Sequence, residues 1–447
     1  MIQSVLDFDL KRLFSEKSLY FLTFAVIFAI SLLNKWLLIT WLIITPVFFI
    51  FKYGVNDGFL MTLLVYQFRQ MCNNQDLCIP ITTVPIGQLI YYIVIIVSSF
   101  YFILHVNTEK IDRGIFYLLV LFSVYAALSS FVNSSYPIVA LFKIILYVIP
   151  FIGIICGVSN SKRTDWVNLI FILLCSFMTL NLIFISNNDA YLHSKLELFR
   201  GLSAHSNQLG FLCVLFQAII WTKYNNIDLS TIIISILNLI ILCLTMARGQ
   251  IIAFLILAVI FLLTCKIDIQ KKAMLIIFLM IIAVIFSSRL MDIFIEFMNS
   301  KYRTSGSNVF SASRGEQFER IMNQFWNNPL TGTGFNVPFI KGVRDSSFYF
   351  SLPTEDGNLF FALLCQTGII GLVLFTLAYG RIFINGKGTL LFFSPILICI
   401  SEMTFFSTNN VGLILYFFYA IFINNGVKEL FRGNETLCHG IKLQQIQ

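Results

Sequence analysis

An arginine in a tight turn between two apolar runs is the most chemically loaded placement in this chain. The turn is Thr245-Met246-Ala247-Arg248-Gly249, and a guanidinium held there can offer a planar, two-pronged donor to phosphate oxygens. Arg314 is a second candidate. Ser313-Arg314-Gly315-Glu316 has the spacing of a capping box, and Phe318, Ile321, Met322, Phe325 and Trp326 follow as an apolar stripe at helical spacing. The pattern predicts an amphipathic helix on a membrane surface, ending at Asn327-Asn328-Pro329. Arg314, at its first position, falls on the apolar side beside a helix N-terminus that itself attracts anions. An arginine snorkelling from a surface helix is the plainer account of the same residues.

An ionisable group in hydrocarbon costs at least about 2.5–3.5 kcal/mol, so Lys143 and Glu402, inside apolar runs, also stand out. Snorkelling accounts equally well for Lys143. Arg200, His205, Ser206 and Asn207 directly precede another apolar run; a histidine at such a place is most often a cap or a surface residue. Gly332-Thr333-Gly334 is a turn whose glycines can let backbone N–H groups approach a sugar or phosphate. Glu355-Asp356 stands just before the chain becomes apolar again. Adjacent carboxylates near a membrane can have raised pKa values, which suits a general base, although acids are favoured at any helix start. The four histidines, at 105, 193, 205 and 439, have no ligand spacing, and no C-x-x-C, P-loop or dinucleotide fingerprint is present. No metal, nucleotide or other cofactor is indicated.

The elements that must position these residues are membrane helices. The chain of 447 residues is 58% hydrophobic and 12% charged, against about 25% charged in a soluble domain. Its 48 phenylalanines suit a lipid-facing surface. Apolar runs between 18–33 and 411–424 give about 12–14 transmembrane helices, an all-α polytopic fold forming one membrane domain over 1–447. The net charge of +8 is scattered between apolar runs, which argues for topology rather than nucleic-acid binding. With Lys11, Arg12 and Lys17 inside, the later basic connections also fall inside, but only if the weak run 57–70 crosses the bilayer. Both termini are then cytoplasmic, the first helix is uncleaved, and the segments 71–87, 187–206, the Arg248 turn and 289–356 lie outside. The last is the long polar subdomain. Cys72 and Cys78, in the first outer segment, can pair there or remain free thiols. No paired half-repeat or broken helix of the kind transporters use is visible.

Four segments in this order resemble the O-antigen ligase and Wzy-type polysaccharide polymerase family. They are Gly201-Leu-Ser-Ala-His205-Ser-Asn207-Gln-Leu-Gly210; Leu244-Thr-Met-Ala-Arg248-Gly249; Arg314 with Trp326-Asn-Asn-Pro329-Leu330-x-Gly332-x-Gly334; and Asn358 with Gly368-Ile-Ile-Gly371. Ala247 stands where the family usually has Ser, and Gly357 stands where its ligases have a His before the Asn. The resemblance implies glycosyl transfer between polyprenyl-pyrophosphate-linked glycans on the outer face of the bacterial inner membrane, without metal or nucleotide. It implies Arg248 and Arg314 on the pyrophosphate, Arg200 as a weaker partner, and Glu355 as base, with Asp356 or His205 as substitutes. His205, Asn207, Gly332, Gly334 and Asn358 would line the substrate, and Lys143, outside the resembling segments, is added as a substrate-lining candidate on its intramembrane charge alone. Partners would be the lipid-linked glycans, the bilayer, and a flippase and chain-length regulator of the same pathway. The missing histidine favours a polymerase of O-antigen, capsule or exopolysaccharide; a ligase transferring glycan to a lipid A core and a lipid or solute transporter are the alternatives.

The orientation is directly testable. Reporter fusions or cysteine labelling are expected to place Ser307 outside and Gly433 in the cytoplasm; a cytoplasmic Ser307 reverses the whole assignment.

Overall fold

The structure is a computed structural model that describes residues 31, 34–107, 109, 111–161, 166–193, 197–223, 229–264, 314–337, 358–386, 390–401, 405–408 and 411–423. It is an all-α polytopic membrane bundle. Helices α1 (Lys35–Tyr53), α2 (Val55–Met71), α3 (Pro85–Leu104), α4 (Arg113–Asn133), α5 (Pro137–Asn160) and α6 (Trp166–Ile183) come first. A small hairpin follows, β1 (Tyr191–His193) against β2 (Glu197–Phe199), antiparallel with Leu192 opposite Leu198. Then come α7 (Ser206–Lys223), α8 (Leu229–Thr245), α9 (Arg248–Thr264), α10 (Arg314–Asn327), α11 (Leu359–Gly386), α12 (Leu390–Ser401) and α13 (Gly412–Ile423). The hairpin is strand structure that the sequence reading did not anticipate. The parts of the long polar segment at 289–313 and 338–356 lie outside the described residues, as do Glu402 and the run 273–288.

Local chemistry starts these helices. Asn34 caps α1, its side chain accepting the Trp36 N–H at 2.8 Å, and Asp112 caps α4 through Gly114 and Ile115 at 2.9 and 3.2 Å. Pro85 and Pro137 open α3 and α5, where a missing N–H costs nothing. Among the described residues, six helices are long and apolar enough to cross a membrane. The weak run 57–70 forms the full helix α2, whose residues from Leu60 to Met71 are all buried. It touches α1, α3, α5, α6 and α13. Its surface meets protein instead of lipid, so it can carry Gln67, Arg69 and Gln70 and still lie in the core.

Two sets of contacts define the ends of the bundle. At one end Asn56 donates to the Gly157 carbonyl at 3.0 Å, and Arg381 Nε pairs with Asp112. At the other, Asn74 meets Gly201, Asn133 meets Thr331, and Asn358 meets Ile400. Consecutive helices run between these ends, α2 among them, although it is not one of the six helices long and apolar enough to cross a membrane.

The phenylalanines are not confined to a lipid face. Phe122, Phe335, Phe375, Phe405 and Phe406 form one interior cluster, with Phe335 and Phe406 5.1 Å apart edge-on.

Helix α11 breaks at Gly368, where φ is +66°. A broken helix is thus present although the sequence did not display one. The loop 328–337 runs into the break and replaces the lost helical hydrogen bonds. Thr333 and Gly334 N–H donate to the carbonyls of Cys365 and Gln366 at 3.0 Å, and Ile369 N–H donates to the Pro329 carbonyl at 2.9 Å. Helix α4 braces the loop. Tyr125 Oη reaches the carbonyls of Leu330 and Thr367, Ser129 donates to the Thr331 carbonyl, and Ser130 accepts the Phe335 N–H. A Cβ on Gly332 would collide with the backbone of Gln366 and Thr367, and one on Gly368 with that of Leu330 and Thr331.

Alanine at Gly332 or Gly368 combines a left-handed φ, roughly 1–2 kcal/mol, with overpacking of about 1–3 kcal/mol. Each variant is expected to melt well below wild type in detergent. Gly380→Ala, on the same helix with nothing within 4 Å, should melt at or slightly above wild type.

Candidate functional site

The Arg248 turn is built by its own short side chains. The Thr245 hydroxyl donates to the Leu242 carbonyl at 2.6 Å and accepts the Ala247 N–H at 3.2 Å. Met246 is driven to φ +53°, a region that an L side chain visits only at a cost. The chain thereby reverses in two residues, and Arg248 becomes the first residue of α9. Its side chain is half-buried.

Helix α7 begins beside this turn. Gly210 lies in its second turn, and a Cβ there would stand 2.8 Å from Ala247 Cβ and 3.0 Å from Gln250 Cγ. Only a glycine lets α7 approach so closely. The start of α7, with His205, Ser206 and Asn207, therefore flanks the start of α9. Two helix N-termini side by side put partial positive charge at one place.

The segment leading into α7 is tied down at several points. Gly201 has φ +54°, and a side chain on it would collide with Asn181. Asn181 Oδ1 accepts the Leu202 N–H at 2.9 Å. Arg200 N–H donates to the Ala190 carbonyl at 2.9 Å. Ser203 Oγ donates to the carbonyls of Arg200 and His205 at 2.6 and 2.9 Å. The Arg200 guanidinium forms an ion pair with Asp76 from the loop after α2. Burial first, and Arg200 second, hold the His205 imidazole below its ordinary pKa. It is neutral at neutral pH and able to accept a proton.

Arg200, His205 and Asn207 lead into the start of α7, which the Gly210 contact sets beside Arg248 at the start of α9; this end of the helix pair is the mouth. The remaining expected residues sort differently. Arg314 opens α10, and α10 ends at Asn327, as the apolar stripe and the Asn327-Asn328-Pro329 ending predict; Ser313 of the capping box lies outside the described residues. Ile321 and Phe325 are buried, while Trp326 is 68% exposed. The helix packs on the first part of α11 through Phe318 against Phe361, 5.2 Å apart, and through Cys365 Sγ to Gln324 at 3.0 Å. Asn358 caps α11, accepting the Phe360 N–H at 2.9 Å, and its Nδ2 donates to the Ile400 carbonyl on α12 at 2.9 Å. Helix α12 also packs against α7 and α9, so it stands between the two groups. The amides of Gly332 and Gly334 donate to the carbonyls of Asn328 and Gln366. Those N–H groups are engaged within the protein, and the geometry gives the glycines a structural task. Lys143, in the second turn of α5, is wholly buried; it does not snorkel to a surface. Glu355 and Asp356 lie outside the described residues.

Cys72 and Cys78 are both free and buried. Cys78 Sγ donates to the Asn74 carbonyl at 3.1 Å, and burial raises both thiol pKa values. Neither is a ready nucleophile.

Sequence reasoning missed Asn74, Asp76, Asn181 and the Tyr125–Ser129–Ser130–Asn133 stripe on α4. The stripe was visible as polar residues at helical spacing in an apolar run; the others carry no local signal, because their partners are over 20 residues away.

Residues 233–376, about a third of the chain, match the family model described as O-antigen ligase. That stretch is similar to the O-antigen ligase family domain. The match includes the Arg248 turn, α10, the clamp loop and the break in α11, and excludes the Gly201–Gly210 segment that the fold packs against it. No curated protein matches the chain.

His205 should titrate below the usual histidine value, measured by histidine NMR in nanodiscs with His105, His193 and His439 replaced. Arg200→Gln should raise that midpoint by removing the positive neighbour, but only part of the way, because burial is the larger cause.

Proposed function

We propose that this protein polymerises polyprenyl-pyrophosphate-linked oligosaccharide repeat units by glycosyl transfer on the outer face of the bacterial inner membrane. The observation that carries this reading is the mouth where Arg248, at the start of α9, meets the start of α7 inside and beside the family segment. An arginine at paired helix N-termini suits a diphosphate leaving group. The same end would face outside, both termini would be cytoplasmic, and 289–356 would form an external subdomain of a single membrane domain.

In the reaction an acceptor hydroxyl oxygen attacks the anomeric carbon of the donor. The bond from that carbon to the diphosphate breaks, and its electron pair leaves with the diphosphate. Arg248 and Arg314 stabilise the departing charge, with Arg200 as a weaker contributor. The hydroxyl proton goes to Glu355; His205, neutral and beside Arg200, and Asp356 are the other candidates. Asn207 lines the same mouth. Asn358 and the two glycines hold α11 and its clamp loop in register behind Arg314. A flippase and a chain-length regulator would supply and limit the reaction.

Ligation to a lipid A core is the second reading, favoured by the description of the matching family. Gly357, in the place of the ligase histidine, weighs against it. A transporter is the third. The break at Gly368 is the feature it would use, but the loop 329–334 already matches the freed backbone groups.

Surface glycan of a deletion strain separates these readings: single repeats mean polymerase, loss of all decoration means ligase, and an unchanged profile sinks both. Arg248→Ala and Arg314→Ala should abolish polymer while the protein still inserts and folds, and lysine at either position should rescue only in part. Full activity in an alanine variant removes that arginine from the mechanism. Glu355→Gln should also abolish polymer, since the amide cannot take a proton; an active Gln variant moves the base to His205 or Asp356.

A further inference from the structure

The ion pair between Asp76 and Arg200 joins two loops that are already joined without it. Asn74 N–H donates to the Leu202 carbonyl at 3.0 Å, and Asn74 Nδ2 donates to the carbonyls of Asp189 and Gly201 at 3.0 and 2.7 Å. Asn74 Oδ1 accepts the Asp76 N–H at 2.9 Å, so the backbone that carries the carboxylate is fixed by an uncharged turn. The charge on Asp76 is not needed to dock the first loop on the second.

The pair is also lopsided. The Arg200 side chain is 12% exposed and that of Asp76 is 56% exposed; the carboxylate sits on the open side of a covered guanidinium. Arg200 Nη2 meets Asp76 and, at 3.5 Å, the Asp189 carbonyl, whereas Nε is buried with no hydrogen-bond partner. Donor capacity remains on the cation, and its accessible edge is filled by an acceptor that can swing away.

We propose that Asp76 is a built-in competitor for the diphosphate at this mouth: it pairs with Arg200 and is displaced when the more highly charged anion binds. This rests on the reading above that the mouth receives a lipid-linked diphosphate. A carboxylate and a diphosphate are both acceptor-only anions that suit the same guanidinium edge. The displaced carboxylate remains nearby, repels the anion, and favours return to the ion pair. Asp76 would thereby limit how long the spent polyprenyl diphosphate stays bound, a regulatory task that binding residues alone do not perform.

The test is a titration of undecaprenyl diphosphate into the full chain in phosphatidylcholine nanodiscs. Asp76→Asn is expected to lower Kd about two- to fivefold, the range that a partly exposed ion pair supports. Arg200→Ala should weaken binding, and adding Asp76→Asn to it should change nothing more, since the effect runs through the pair. Asp76→Ser serves as a second variant if the first fails to fold. Unchanged or weaker binding in a folded Asp76 variant overturns the proposal, as does a gain that persists without Arg200. Repeating the titration in phosphatidylglycerol nanodiscs should preserve the gain; its disappearance would mean that a phospholipid headgroup occupies Arg200, which also overturns it. Failure of the wild-type protein to bind the probe at all refutes the reading of the site itself, whereas wild-type binding with no effect at Asp76 leaves that reading intact and refutes only the competitor.

Discussion

In an apolar interior a buried backbone amide without a partner costs several kcal/mol, and the pairing between 329–334 and 365–370 is how this protein meets that constraint where α11 is broken. Gly368 interrupts the helical ladder, and the residues around the break would be left unsatisfied. The clamp loop supplies donors and acceptors from its own backbone, and it can do so only because Gly332 and Gly368 let two main chains touch. Phe335, wholly buried against Phe122 and Phe406, seals the loop into the bundle. Much of the family segment after Arg314 is thus a device for holding a loop and a broken helix together.

That device sets the position of α10. The helix is anchored at its C-terminal end by the clamp and along its length by α11, so its first residue, Arg314, is delivered by a rigid support. The Arg248 mouth is built separately, from the α7–α9 contact at Gly210. Helix α12 lies between the two supports, tied to α11 by Asn358 and packed on α7 and α9. The backbones at Arg248 and Arg314, far apart in sequence, are thereby mounted on one continuous scaffold.

The mouth is stabilised mostly by uncharged groups. Asn74, Asn181 and Ser203 satisfy the backbone of the loops around Arg200, and the ion pair found there among the described residues is the partly exposed one with Asp76. Neutral amides can hold geometry without adding to or subtracting from the field that an anion meets.

Period and composition were enough to read an all-α membrane bundle, a helix over 57–70 and the amphipathic helix from Arg314 to Asn327, because hydrophobic periodicity acts over a few residues. The Arg248 turn was legible for the same reason, whereas Asn358, read as a substrate-lining residue, caps α11 instead. The broken helix was not: Gly368 looks like any glycine in an apolar run until a second chain segment lies against it. The glycines at 332 and 334 were read as approaching a ligand, yet what approaches is the backbone of α11. The hairpin at 191–199 and the partnership of Asp76 with Arg200 depend on residues brought together across the bundle. Local sequence decides which segments can be helices and where they start. Which polar group meets which is settled only by packing, because in a mostly apolar interior each hydrogen bond is strong, and its partner is chosen by distance in space rather than by distance along the chain.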